Sequence, residues 1–225
     1  MRDAAHIKAL RLRVGDELTV CDGEGTDYAV RLTSVDGVGA AAQVLSATAS
    51  VTEASVALHI FMAFAKGERT EFAIQKCTEL GASAFFLFPS EHVVALPSEK
   101  SLPNKLTRWA SIAKSAAEQS GRGRIPSVAA CASFKDAIAR AASAELPLFC
   151  YENEERATLH DAFASVSSPK TISIMTGAEG GFSPREAAFA AENGLRSVTL
   201  GARILRCDTA PIAASAAVML LTGNL

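Results

Sequence analysis

Between Met175 and Thr209 the chain uses one arrangement twice. An apolar, strand-like run (Thr171–Thr176, then Ser197–Leu200) ends in a loop dense in glycine, arginine and acid, and each loop is followed by a helix signal. In an open α/β sheet, ligands gather outside the carboxyl ends of the strands. Two such loops in succession therefore predict a walled site.

The first loop, Gly177-Ala178-Glu179-Gly180-Gly181, has three glycines in five residues. Glycine lets the backbone take positive φ and lets another group approach bare N–H and C=O groups. Ser183-Pro184-Arg185-Glu186 then reads as a capping box with proline at the first helical position, and Asn193-Gly194 as the helix end. Taken alone, the loop reads as a turn that reverses the chain. It matches neither G-x-G-x-x-G nor a P-loop, since no Gly-Lys-Ser/Thr follows. The second loop, Leu200 to Thr209, sets Arg203 and Arg206 around the apolar pair Ile204-Leu205. Arginine suits planar, bidentate partners such as carboxylates, phosphates and base edges. The alternative is surface pairing with a local acid, Asp208 being the nearest. Pro211 opens a small-residue helix to Leu221.

The rest of the chain gives these loops a scaffold. Ser55–Phe64 and Ala84–Phe88 read as buried strands, Thr70–Leu80 and Asn104–Ser120 as helices. Phe134–Ala142, Leu146–Tyr151 and a weaker helix near Leu159–Val166 follow. Strands alternating with helices mean an α/β fold with a mainly parallel sheet. Residues 1–50 differ: Leu18–Asp22, Tyr28–Thr33 and Ala41–Leu45 are short strand-like runs, with turn signals at Asp22–Gly25 and Asp36-Gly37. The change of period near residue 50 predicts two domains, 1–50 as a small β-barrel and 51–225 as the α/β domain. At 225 residues the chain is long enough for both.

Charge and cysteines narrow the function. Net charge is −2, so any nucleic-acid contact depends on local patches. One patch is Arg2, Lys8, Arg11 and Arg13 against the single acid Asp3; it suits an RNA backbone or is a solvated edge. Another runs from Lys100 to Arg124, with six basic residues and one acid, Glu118. Five unclustered cysteines without C-x-x-C argue for reduced thiols, and they give no disulfide frame or zinc site. The four scattered histidines suggest no metal site. No apolar run has membrane-spanning length, and Met1–His6 lacks the apolar core of a signal peptide, so a cytoplasmic location is expected.

Four ordered motifs then point to a family. They are Lys66-Gly67 with Gln75-Lys76 and Glu79-Leu80-Gly81; Ala117-Glu118-Gln119-Ser120 with Arg122 and Pro126; Gly177-x-Glu179-Gly180-Gly181-Phe182; and Leu200-Gly201-x-Arg203-Ile204-Leu205-Arg206-x-x-Thr209-Ala210. Together they resemble the RsmE family, bacterial 16S rRNA uridine N3-methyltransferases of the SPOUT superfamily, nearly from end to end. The resemblance implies a PUA-like RNA-binding barrel, a SPOUT domain with a deep trefoil knot, S-adenosyl-L-methionine as cofactor, 16S rRNA of the small ribosomal subunit as partner, and a homodimer. It implies three knot loops, one after Leu146–Tyr151 and the others at Gly177–Gly181 and Leu200–Leu205.

On that reading cofactor contacts fall to Tyr151, Thr176, Gly177, Glu179, Gly180, Gly181, Leu200, Gly201, Ile204 and Leu205. RNA contacts fall to Arg11, Arg13, Lys66, Lys76, Gln119, Arg122, Arg124 and Arg203. Arg206 and Glu179 are the expected catalytic residues, Arg206 as donor to the uracil carbonyl oxygens. Glu179 is left open between hydrogen-bond acceptor, counter-charge, proton acceptor and a carboxylate that only braces its loop. Three positions depart from the family pattern: Ala178 replaces proline, Asp208 replaces glutamate, and Ser90-Glu91-His92 replaces Ser-Glu-Arg. The contrasting reading is a non-catalytic RNA-binding ribosome-assembly factor on the same fold, which need not bind the cofactor.

Overall fold

The computed structural model describes residues 10–36 and 39–225. It divides into two compact units, Met1–Glu53 with Gly121–Ile125, and Ala54–Ser120 with Pro126–Leu225.

In the first unit, β1 (Glu17–Cys21), β2 (Thr26–Val35) and β3 (Ala40–Ala49) form an antiparallel meander in that order. The β1–β2 turn forms because Asp22 Oδ1 accepts the N–H groups of Glu24 (2.7 Å) and Thr26 (3.1 Å). Asp36 holds the next turn, its Oδ1 accepting the Gly39 N–H at 2.8 Å; Gly37, on which that turn was expected, lies outside the described residues. Arg2, Lys8 and His6 also lie outside them. The expected barrel is, among the described residues, an open three-stranded sheet.

The segment Gly121–Ile125 belongs to this unit, which the local pattern did not predict. Arg122 is buried there, with its guanidinium 2.7 Å from Glu53 Oε2. The other Glu53 oxygen accepts the Arg124 N–H at 3.0 Å.

The second unit is built on a six-stranded parallel sheet. Its strands are β4 (Ala57–Ala63), β5 (Ala82–Phe88), β6 (Ser127–Ala130), β7 (Leu146–Cys150), β8 (Thr171–Thr176) and β9 (Arg196–Val198), in the order β6-β5-β4-β8-β7-β9. The short edge strand β6 was not anticipated. The connecting helices are α1 (Arg69–Glu79), α2 (Leu102–Gln119), α3 (Phe134–Ala141), α4 (Leu159–Ala164), α5 (Pro184–Glu192) and α6 (Thr209–Leu221).

Strand side chains alternate between faces, so β4 serves two cores at once. Leu58, Ile60 and Met62 pack with residues of α1, α2, α4 and α6, while Phe61 and Ala63 pack with residues of α3 and α5. A parallel sheet covered on both faces needs near-continuous apolar strands, and all five residues of β7 are buried.

The strand order matters for the site. From β4 the chain moves outward through β5 and β6, then returns to build β7, β8 and β9 on the other side. β8, β7 and β9 are consecutive neighbours and parallel, so the loops after Thr176, Cys150 and Val198 leave the same edge side by side. Crevices at the carboxyl ends near such a reversal of strand order are where open α/β sheets bind ligands.

Candidate cofactor cavity

Those three loops enclose a cavity of about 650 Å³, wholly within the second unit. Cys150 and Val198 line it from the strand ends, with Tyr151, Glu152, Thr176 to Gly181 and Thr199 to Gly201 around it. Arg69, Arg203, Ile204, Leu205, Arg206, Cys207 and Ala210 complete the lining.

The glycine-rich loop is held from several directions. It turns tightly, the Gly181 N–H donating to the Ala178 carbonyl at 3.0 Å. Phe182 anchors its end, nearly fully buried, with its ring centroid 4.3 Å from that of Phe149. The predicted capping box is formed: Ser183 Oγ accepts the Glu186 N–H (3.2 Å) and Glu186 Oε2 accepts the Ser183 N–H (3.0 Å). Glu186 Oε1 accepts the Glu91 N–H at 2.9 Å, so the turn after β5 is tied to the start of α5.

Three side chains from outside the loop fix its tip. His92 Nδ1 lies 2.9 Å from the Gly180 carbonyl oxygen, an acceptor, so this nitrogen carries the proton and donates. A Cβ at Gly180 would meet the His92 Cβ at 2.8 Å. Gly181 has φ +65°, and a Cβ there would overlap the Glu152 carboxylate, whose Oε1 accepts the Phe182 N–H at 2.8 Å. Glu179 Oε1 accepts the Lys66 N–H (2.8 Å) and an Arg69 guanidinium N–H (2.5 Å). Partial burial works against its ionisation, but the Lys66 N–H and Arg69 outweigh it and hold the carboxyl below the ordinary glutamate range.

The second loop is looser. Thr199 Oγ1 accepts the Gly201 N–H at 3.2 Å, and the Arg206 carbonyl accepts the N–H groups of Thr209 and Ala210 where α6 begins. Arg203 and Arg206 are exposed, and among the described residues neither side chain has an ion pair or hydrogen bond. The expected alternative of pairing with Asp208 does not occur; Asp208 Oδ1 is buried without a hydrogen-bond partner. Burial pushes the Cys150 thiol up to about 12, which leaves it protonated and inert at the cavity floor.

The chain is similar to known proteins along almost all of its length. An RNA methyltransferase domain model matches residues 52–219, and an RNA methyltransferase PUA domain model matches residues 2–44. The Synechocystis ribosomal RNA small subunit methyltransferase E is 36% identical over 93% of this chain and 67% of its own. The Bacillus subtilis protein of the same name is 32% identical over 94% of this chain and 84% of its own. This chain belongs to the ribosomal RNA small subunit methyltransferase E family. A crystal structure of that enzyme from Neisseria gonorrhoeae, bound to S-adenosyl methionine, superposes with a TM-score of 0.83 at 32% identity, over 97% of this chain and 88% of that one.

Within this member of the methyltransferase E family, all ten residues expected at the cofactor line the one cavity: Tyr151, Thr176, Gly177, Glu179, Gly180, Gly181, Leu200, Gly201, Ile204 and Leu205. Arg206 and Arg203 line it too. The RNA set is scattered. Lys66 is exposed beside Glu179, Gln119 is exposed at the end of α2, and Lys76 sits in the last turn of α1, with Nζ 2.8 Å from Glu79. Arg11, Arg13 and Arg124 are exposed in the first unit.

Arg122 needs correcting: buried and paired with Glu53, it holds its own unit together and is not available to RNA. Arg69, Glu152 and His92 act on the glycine loop and were not anticipated in those roles. Each reaches it from a distant part of the sequence, so no local pattern marks them.

Proposed function

We propose that this chain transfers a methyl group from S-adenosyl-L-methionine to N3 of a uridine in 16S rRNA of the small ribosomal subunit. The observation that carries this reading is the meeting of three strand-end loops around one cavity, with Arg206 at its wall unpaired among the described residues. The residues present fit the cofactor. The cavity volume falls within the range of roughly 300–1,000 Å³ usual for small-molecule sites. Its lining combines apolar side chains for a flat ring with bare glycine backbone for close approach, and with the carboxylate of Glu152, which has no ion pair among the described residues.

Once bound, the cofactor supplies an activated methyl group. The remaining work belongs to the chain. The glycine loop, fixed by Glu152, His92 and Glu179, presents backbone groups in a set geometry, so little ordering is left for the moment of binding. Arg206 donates hydrogen bonds to a uracil carbonyl oxygen, where negative charge collects as the N3 proton leaves; a donor aimed there lowers the barrier. Glu179 has the weaker claim to the proton, since its carboxylate already accepts two donors and is held ionised. Its better role is to brace the loop. Arg203, Lys66, Gln119, Arg11, Arg13 and Arg124 remain available to RNA; Lys76 does so only by releasing Glu79.

A homodimer is part of the same proposal. Leu220, Leu221 and Leu225 at the end of α6 and beyond are 65%, 42% and 68% exposed, an apolar surface that a second copy would cover. Threading of the chain into a trefoil knot and action in the cytoplasm also belong to it. No helix among the described residues is long and apolar enough to cross a membrane, and none of their His, Cys, Asp and Glu side chains cluster as a metal site. The test is methyl transfer to small subunits from a strain lacking this protein, with the modified base mapped. Absence of transfer with intact cofactor binding would favour the assembly-factor reading.

A further inference from the structure

The cavity holds two carboxylates in different electrostatic states. Glu179 is neutralised by Arg69. Glu152 stands at the start of the loop after β7, packed against Gly181, and its one hydrogen bond among the described residues is from the Phe182 N–H to Oε1. Among the described residues it has no cation partner, and its second oxygen accepts no hydrogen bond. Glu152 is thus a carboxylate of the cavity with no ion pair of its own, although Arg203 and Arg206 also line it, and it is fixed by the N–H it accepts and by the glycine that makes room for it.

We infer that Glu152 meets the sulfonium charge of the methyl donor and so lets the site distinguish the charged donor from its neutral thioether product. This rests on the reading that the cavity takes S-adenosyl-L-methionine. The donor's ammonium has N–H groups that any loop carbonyl can accept. A sulfonium has none, so it is favoured through its charge, and among the groups that can do this a carboxylate is the strongest. After methyl transfer the sulfur is neutral and that attraction vanishes, which favours release of the product. Glu152 is an exposed residue, so the effect is modest, of the size of a solvent-screened charge pair.

Isothermal titration of the full chain with S-adenosyl-L-methionine and S-adenosylhomocysteine tests this. Glu152→Gln keeps an acceptor for the Phe182 N–H and removes only the charge. Affinity for the charged donor should fall about fivefold, and that for the homocysteine product less than twofold. The wild-type preference for the donor should shrink as salt is raised, while the variant's should not. Equal losses for both ligands, or no loss for either, overturn the inference while leaving the cofactor reading intact. A wild-type chain that binds neither ligand overturns both.

Discussion

Two of the three loops that wall the cavity are held by different means. The loop from Gly177 to Gly181 is bonded from outside at its tip: His92 on the Gly180 carbonyl, Glu152 beside Gly181, Arg69 and Lys66 on Glu179. The loop from Gly201 to Arg206 carries one short side-chain turn at Thr199, and its Ile204 is 78% exposed. One wall is set before anything binds. The other carries few such bonds among the described residues. A preorganised wall gives affinity, because its ordering is completed during folding, while a free wall gives reach.

If that contrast is right, crowding the braced wall does the most damage. Gly180→Val brings its Cβ to 2.8 Å from the His92 Cβ, closer than carbon atoms pack, and adds two methyl groups beyond it. The loop must shift, and cofactor binding should become undetectable by titration calorimetry while the fold persists by circular dichroism. Unchanged affinity would show that the glycine loop is not the cofactor wall.

The free wall should fail differently. Arg206→Ala removes a side chain with no partner among the described residues, so stability and cofactor affinity should hold. Turnover on small subunits should fall about 100-fold, the size of losing one well-aimed donor to developing charge. A matching loss of cofactor affinity would place Arg206 on the cofactor instead of on the base.

Bracing itself is tested at Arg69. Arg69→Ala leaves Glu179 with backbone N–H donors but no cation, and cofactor affinity should drop about tenfold, in proportion to a lost charge-assisted hydrogen bond. Acid gives the same information. Glu179 has a folded-state pKa below the ordinary 4.5, so its contribution to stability is present above that value and is lost as pH falls through the depressed one. Urea midpoints should therefore fall more steeply in acid for the wild type than for Glu179→Gln. Parallel curves would mean that the pairing contributes nothing.

The difference between the walls also marks what a sequence can disclose. Strand β8 and the capping box at Ser183 were legible because their causes are local: an apolar run, and residues three apart. The membership of the cavity was legible through the order of motifs. The braces were not. His92 lies 88 residues from Gly180, and Lys66 lies 113 from Glu179, so only the strand order brings them together. Arg122 misled for the same reason. In a glycine-rich turn it reads as a free cation, and its partner Glu53 is 69 residues earlier. Charge seen in sequence is silent about burial, and burial decided its role.

The smallest effect should come from a glycine on the free wall. Gly201 has φ +106°, yet a Cβ there meets nothing within 4 Å. Gly201→Ala therefore incurs only the backbone penalty of a strained φ, about 1 kcal/mol, roughly a fivefold loss in cofactor affinity if the loop must adopt this conformation to bind. Gly181→Ala also sits at positive φ, but its Cβ would collide with Glu152, so it should lose far more. The pair holds residue type and substitution constant and varies only what surrounds the glycine. Equal losses in the two variants would mean that backbone conformation alone governs both loops, and the distinction between a braced wall and a free one would fall.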